Sequence, residues 1–304
     1  MHKYPLFYFS IRKDAIEPEQ IDRLLYFEKA AGDVKLETGV EGLKFDFNAG
    51  VRVEVPAGNW HVKISDFDTD MVGFDGDIAE QVLISLEKYY VHWFVEVWHD
   101  GEKVFEHLMD LHQQKICIFM AQSVMGDTIS VLPYVVALQK EYNATVSLMP
   151  PDPFKELCQE YMPDIAVLED MPEDCYAAFC LAVFDLPPYL IPDDSRHWPP
   201  FRSAQVILGL HEMAPDILYY PTAPRAIQEK YVCIAVQASG IMKRWLYPDA
   251  WDMVVEFLKS MGYRVLCIDG SDRVVEEGYE VVKPAGAEDF TGMRPLMERV
   301  NILA

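Results

Sequence analysis

Three stretches decide the fold: Lys115-Ile-Cys-Ile-Phe-Met120, the loop Ala121-Gln-Ser-Val-Met-Gly-Asp-Thr128, and, past a helical segment to about Tyr142, Ala144-Thr-Val-Ser-Leu-Met149. They read as an apolar strand, a polar loop, an amphipathic helix and a second apolar strand. A strand, a crossover helix and another strand make a parallel βαβ unit. The pattern returns at Tyr231-Val-Cys-Ile-Ala-Val236, with the loop Gln237-Ala-Ser-Gly240 and Lys243, a helix from about Asp249 to Met261, and the strand Tyr263-Arg-Val-Leu-Cys-Ile-Asp269. Ligands of open α/β sheets sit at the carboxyl ends of the strands. Two such units with separate polar loops predict two Rossmann-like domains facing each other across a cleft.

A chain of 304 residues is long enough for two domains, or three small ones, each with a core. Hydrophobic residues make up 51%, which places it among globular rather than disordered chains. No apolar run reaches the roughly 18 residues that a membrane span needs. Arg12, Lys13 and Asp14 cut short the apolar start of the chain and no small-residue cleavage site follows, which argues against export. The six cysteines form no C-x-x-C pair, and Cys117, Cys233 and Cys267 fall inside apolar strands, where a free thiol packs as a small hydrophobe. A reduced, cytoplasmic compartment fits, with no zinc site among these residues. The net charge of −23 opposes non-specific binding to nucleic acid, which needs a basic face. An anionic substrate would need cations gathered at its phosphates, and Lys243-Arg244 is the candidate pair.

From Val40 to Leu111 the period switches to two. Val51-Arg-Val-Glu-Val55, Trp60-His-Val-Lys-Ile64 and Val82-Leu-Ile-Ser-Leu86 alternate, and Asp100-Gly101 between two strand-like runs marks a hairpin. Residues 1–112 are therefore expected to form an antiparallel β domain with one wet face, plus a short helix over Ile21 to Ala31. Residues 113–229 hold the first Rossmann-like unit and a proline-rich linker, and 230–304 the second. Arg294 to Ala304 reads as a helix without a cap or stop signal, so the second unit is expected to be incomplete.

Gly126-Asp127-Thr128 follows the first strand and opens a helix. Asp127 can act as a general base at the strand's carboxyl end, or simply cap the helix; spacing leaves both readings open. In the second unit, small residues at Gln237-Ala-Ser-Gly240 allow close backbone approach. Ser239 can donate to a phosphate oxygen and Lys243 can balance a departing diphosphate; an ordinary loop with exposed cations is the plain alternative. Without G-x-G-x-x-G or a P-loop, dinucleotide and ATP enzymes are disfavoured. Asp269 ends a strand where such folds place a ribose-binding acid, although a turn aspartate is as good a reading. Glu288 lies in a polar loop, Gly286-Ala-Glu-Asp289. Asp66-Phe-Asp-Thr-Asp70 imitates an EF-hand, but Met71 stands where that loop needs glycine. His92, His99, His107 and His112 lack ligand spacing.

Tyr231-Val-Cys-Ile-Ala-Val-Gln-Ala-Ser239, Lys243-Arg-Trp245, Gly262-Tyr-Arg-Val-Leu-Cys-Ile-Asp269 and Gly286-Ala-Glu-Asp-Phe-Thr-Gly-Met-Arg-Pro-Leu-Met-Glu-Arg299 closely resemble the bacterial autotransporter heptosyltransferases. Gly42-Leu-Lys-Phe-Asp-Phe-Asn48, Lys88-Tyr-Tyr-Val91, Glu96-Val-Trp98 and Val104-Phe-Glu-His107 match the β domain that distinguishes them from their lipopolysaccharide relatives. The resemblance implies a GT-B-like pair of Rossmann-like domains preceded by an antiparallel β domain. It implies transfer of heptose from ADP-heptose to serine hydroxyls of an autotransporter passenger, in the cytoplasm, by a homo-oligomer. Asp127 falls on the family's Gly-Asp-Thr and would be the base, with Gly126 and Thr128 beside it in the acceptor-side loop. Gln237, Ser239, Lys243, Asp269 and Glu288 would bind the donor. Two positions depart from the family: Ser123-Val-Met125 precedes Gly-Asp, and Ala238 replaces a serine. The family's iron-holding cysteine cluster lies beyond this chain, so the resemblance names no metal ligand here.

Overall fold

The computed structural model describes residues 2–12, 28–120, 125–181, 198–211, 224–225, 227–236, 244–245, 247, 249–268, 273–276, 279–282, 284–289 and 302. The chain divides into two compact units, Met1–Leu218 and Tyr219–Ala304.

In the first unit the strands are β1 (Leu6–Phe9), β2 (Leu36–Glu37), β3 (Lys44–Asn48), β4 (Arg52–Val55), β5 (Trp60–Asp66), β6 (Val72–Ile78), β7 (Gln81–Ser85), β8 (Trp93–His99), β9 (Glu102–Leu108) and β10 (Lys115–Met120). Helix α1 (Met125–Tyr142), β11 (Thr145–Met149), α2 (Lys155–Tyr161), β12 (Ala166–Val167), β13 (Ala177–Leu181) and α3 (Pro200–Ile207) follow. The strands β6-β5-β8-β9 form a four-stranded antiparallel sheet. Its tight hairpin at Asp100 and Gly101 has positive φ at both residues, 50° and 85°, as the twist of a two-residue connection demands. The EF-hand imitation is the β5–β6 turn: Asp66 accepts the Asp68 amide and the Thr69 hydroxyl.

The remaining strands make one nine-stranded sheet in the order β1-β7-β4-β3-β13-β10-β11-β12, with β2 on β3. From β3 to β12 along this order every pairing is parallel. The sheet therefore crosses residue 112 without a break. Phe47 opposes Ala177, Asn48 opposes Ala178, and the Ala49 amide donates to the Ala178 carbonyl at 2.9 Å. The N-terminal sheet is also mixed rather than purely antiparallel, because β1 runs parallel to β7. Gly209 (φ +67°) lies so close to Tyr90 that a Cβ would come within 2.2 Å of its ring.

The wet face expected from Val51-Arg-Val-Glu-Val55 is not there. Arg52 is 0% exposed and Glu54 6%. β3 and β7 flank β4 within the sheet, and the Arg52 side chain is paired inside. Arg52 Nε and Nη2 hold the two Asp46 oxygens at 2.7 Å each, and Nη1 donates to the Gly32 carbonyl at 2.7 Å and to Glu28 at 3.5 Å. Lys88, also buried, donates to Glu28 at 3.3 Å and to the carbonyls of Ala49 and Ser85. Burial drives the Lys88 pKa down, against the pull of Glu28.

An aromatic joint connects the two sheets. His107 of β9 packs among Phe45, Phe47, Phe105 and Tyr176, and its Nε2 lies 2.9 Å from the Tyr176 hydroxyl. That hydroxyl also accepts the Asp110 amide at 3.0 Å. Burial lowers the His107 pKa below its ordinary 6.5. A depressed histidine contributes stability that is complete above the unfolded value and is lost as pH falls below it toward the folded value. Denaturant titrations above and below that pH should show the wild type weakening on the acid side, and His107→Phe weakening less. Equal acid-side losses in both proteins would remove His107 from the account.

The second unit contains β14 (Tyr231–Ile234), α4 (Ala250–Ser260), β15 (Arg264–Cys267), β16 (Arg273–Glu276), β17 (Tyr279–Val282) and β18 (Glu288–Asp289). The order β14-β15-β18 is a parallel sheet, and β16 and β17 pair as a hairpin. Val255 of α4 packs with Ile234, Val236, Val265 and Cys267 to form the core. The fold class is therefore as expected: parallel α/β sheets in both units, with an antiparallel sheet contributed by the N-terminal part.

Candidate functional site

Four of the six residues of β10 are 4% exposed or less, and β13 is buried along its whole length. This suits strands covered on both faces. From β10 the chain passes through α1 to β11 on one side, and from β12 it returns to β13 on the other side. The direction of winding reverses between β10 and β13. Open α/β sheets form their ligand crevice at such a reversal, at the carboxyl ends of the strands. Those ends are Met120 and Leu181.

Helix α1 starts at Met125, so Asp127 is its third residue rather than the residue preceding it. The spacing of Val131, Val135 and Leu138, all 1% exposed or less, pins the helix to the sheet. Asp127 is half-buried in the first turn, where unpaired backbone N–H groups favour a negative charge. Gly126 is exposed, and a Cβ built on it would meet nothing within 4 Å. Thr128 is fully buried, and its Oγ1 has no hydrogen-bond partner among the described residues. Ser130 Oγ donates to the Asp127 carbonyl at 2.7 Å. The sequence reading passed over Ser130; its position three residues after Asp127, one helical turn on, was the available signal. A carboxylate on a helix end beside the carboxyl edge of a parallel sheet can take a proton from a bound hydroxyl.

In the second unit, Gln237, Ser239, Lys243 and Asp269 lie outside the described residues. Val236, after β14, and Arg244 are both buried. Glu288 starts β18 instead of lying in a loop. Arg264 grips both of its oxygens, Nε to Oε1 at 2.9 Å and Nη2 to Oε2 at 2.6 Å, and also reaches Glu229 at 3.1 Å. Hydrogen bonds from Arg264 hold the Glu288 pKa below the usual carboxylate range. Sequence reasoning missed Arg264, which neighbours Glu288 only through the β15–β18 pairing. Among the described residues no three or more His, Cys, Asp or Glu side chains are grouped to hold a metal ion. These residues do not make an iron site. Among the described residues no helix is long and apolar enough to cross a membrane.

Residues 39–101 match the family model described as the N-terminal domain of glycosyltransferase TibC. Autotransporter heptosyltransferase TibC of Escherichia coli O78:H11 is 33% identical over 278 residues, covering 89% of this chain and 68% of the relative. Inactive autotransporter heptosyltransferase BimC of Burkholderia thailandensis is 32% identical over 249 residues, covering 78% of this chain and 57% of that protein. The crystal structure of dodecameric iron-containing heptosyltransferase TibC in complex with ADP-D-β-D-heptose superposes with a TM-score of 0.81 at 32% identity, covering 90% of this chain and 73% of that one.

Proposed function

The chain belongs to the autotransporter heptosyltransferase family, and on that premise we propose that it transfers heptose from ADP-heptose to serine hydroxyls of an autotransporter passenger. The observation that carries this reading is Asp127 on the first turn of α1, beside the point where the winding of the parallel sheet reverses. Residues 113–229 serve the acceptor, and residues 230–304 serve the nucleotide sugar. The enzyme works in the cytoplasm as a homo-oligomer; the TibC structure, described as dodecameric, supports the oligomer.

Asp127 accepts the serine proton as the hydroxyl oxygen attacks the anomeric carbon. Attack comes from the face opposite ADP, so a new C–O bond forms with inversion while the bond to the diphosphate breaks. Lys243 and Ser239, with Gln237 beside them, balance the charge that collects on departing ADP. Asp269 holds the ribose. Glu288 contributes through the arginine it fixes, since both its oxygens are occupied.

If Lys243 has this part, Lys243→Ala should lose about 2–4 kcal/mol of transition-state stabilisation, read as a fall in kcat/KM. An unchanged rate at saturating ADP-heptose would exclude it. A second reading is an inactive paralogue that only holds the passenger. It has support from the inactive relative BimC and from Ala238 in the donor loop. Such a protein would bind passenger and leave ADP-heptose unconsumed. A lipopolysaccharide-type acceptor is disfavoured by the N-terminal domain match over residues 39–101.

A further inference from the structure

Three features of α1 work against its stability, and all lie within two turns of Asp127. Pro133 sits inside this 18-residue helix. A proline there supplies no N–H to the carbonyl four residues back, here that of Ile129, and its ring crowds that carbonyl. Ser130 turns its hydroxyl back onto the Asp127 carbonyl at 2.7 Å, a bond of the kind that bends helices. Thr128 buries a hydroxyl with no partner among the described residues. Local rules broken together within one short stretch point to function.

Their placement matters. Pro133 is buried within the run Val131, Leu132, Tyr134 and Val135, so the missing bond to the Ile129 carbonyl falls where the first two turns pass into the rest of the helix. Those two turns carry Gly126, Asp127 and Thr128. We propose that Pro133 and Ser130 are positioning residues, which set the direction of residues 125–132 and thereby the place of the Asp127 carboxylate against the acceptor hydroxyl. Neither residue touches substrate. This rests on the reading of Asp127 as the base. A base displaced by about 1 Å from its productive place loses roughly a hundredfold in rate, because proton transfer and attack both depend on near-contact geometry.

Pro133→Ala restores the missing helix bond and introduces the best helix former. The variant should melt no lower than wild type and bind ADP-heptose with an unchanged Kd, while kcat for transfer to the passenger falls about 10- to 100-fold. Ser130→Ala should lower kcat by a smaller factor, and Ser130→Thr, which keeps the hydroxyl, should restore it. The pH–rate profiles of these variants should keep the wild-type limb at reduced height, since the base is intact; Asp127→Asn should lose that limb. Wild-type kcat in Pro133→Ala and Ser130→Ala, with an inactive Asp127→Asn, overturns the positioning role and leaves the base in place. Retained transfer by Asp127→Asn overturns the base, and the positioning role with it. If Pro133→Ala does not fold, the Ser130→Ala and Ser130→Thr pair decides.

Discussion

Asp127→Asn should melt near wild type, still bind ADP-heptose, and transfer heptose roughly 10²- to 10⁴-fold more slowly, the usual contribution of a general base. The substitution separates chemistry from structure. Asparagine is nearly isosteric and keeps one oxygen acceptor at the start of the helix, and what it loses to the helix dipole is about 0.3–1 kcal/mol. Asp127 is half-buried and in the first turn, so no large packing term accompanies the change. The proton acceptor alone is removed. A well-folded variant that transfers at close to the wild-type rate would leave Asp127 as a helix-end carboxylate only, and the base would have to be another group.

Arg52→Ala should destabilise the first unit by about 3–5 kcal/mol, the cost of leaving buried charges without their partner. The guanidinium is 0% exposed and is the main partner of Asp46, also 0% exposed. Its loss leaves the buried Asp46 charge with only the Lys35 and Asn48 amides, weakens the hold on Glu28, and leaves the carbonyls of Gly32 and Asp33 without these donors. Removing Lys88 as well should add less than its single effect, since both cations share Glu28. Chemical denaturation measures this directly. A loss below about 1 kcal/mol would mean that the network relaxes or admits water, and that the strands around it carry the stability.

The βαβ repeats were legible because strand and helix periodicities are local: 115–149 and 231–267 announce themselves by runs of apolar residues alone. The hairpin at Asp100-Gly101 was legible because few residues accept positive φ at both positions. The join between the N-terminal strands and the Rossmann-like sheet was not, since Phe47 and Ala177 meet across a long stretch of chain and neither carries a local signal. Arg52 misled for a physical reason. Alternation of apolar and polar residues implies a wet face only when nothing covers it, and a buried ion pair gives the same pattern. At the site, the candidate Asp127 was visible in sequence, but its choice over a cap depended on the family resemblance. The first turn of α1 explains how a residue can suit both descriptions. Ser130 and Pro133 became meaningful only once the helix was seen to start at Met125 and run through both.

The most direct measurement is the intact mass of an autotransporter passenger after incubation with this protein and ADP-heptose. The account predicts a mass that rises in whole heptose increments, one ADP released for each, with the sugars mapped to serines and no gain with Asp127→Asn. A passenger of unchanged mass in the presence of folded wild-type protein that binds ADP-heptose would contradict it.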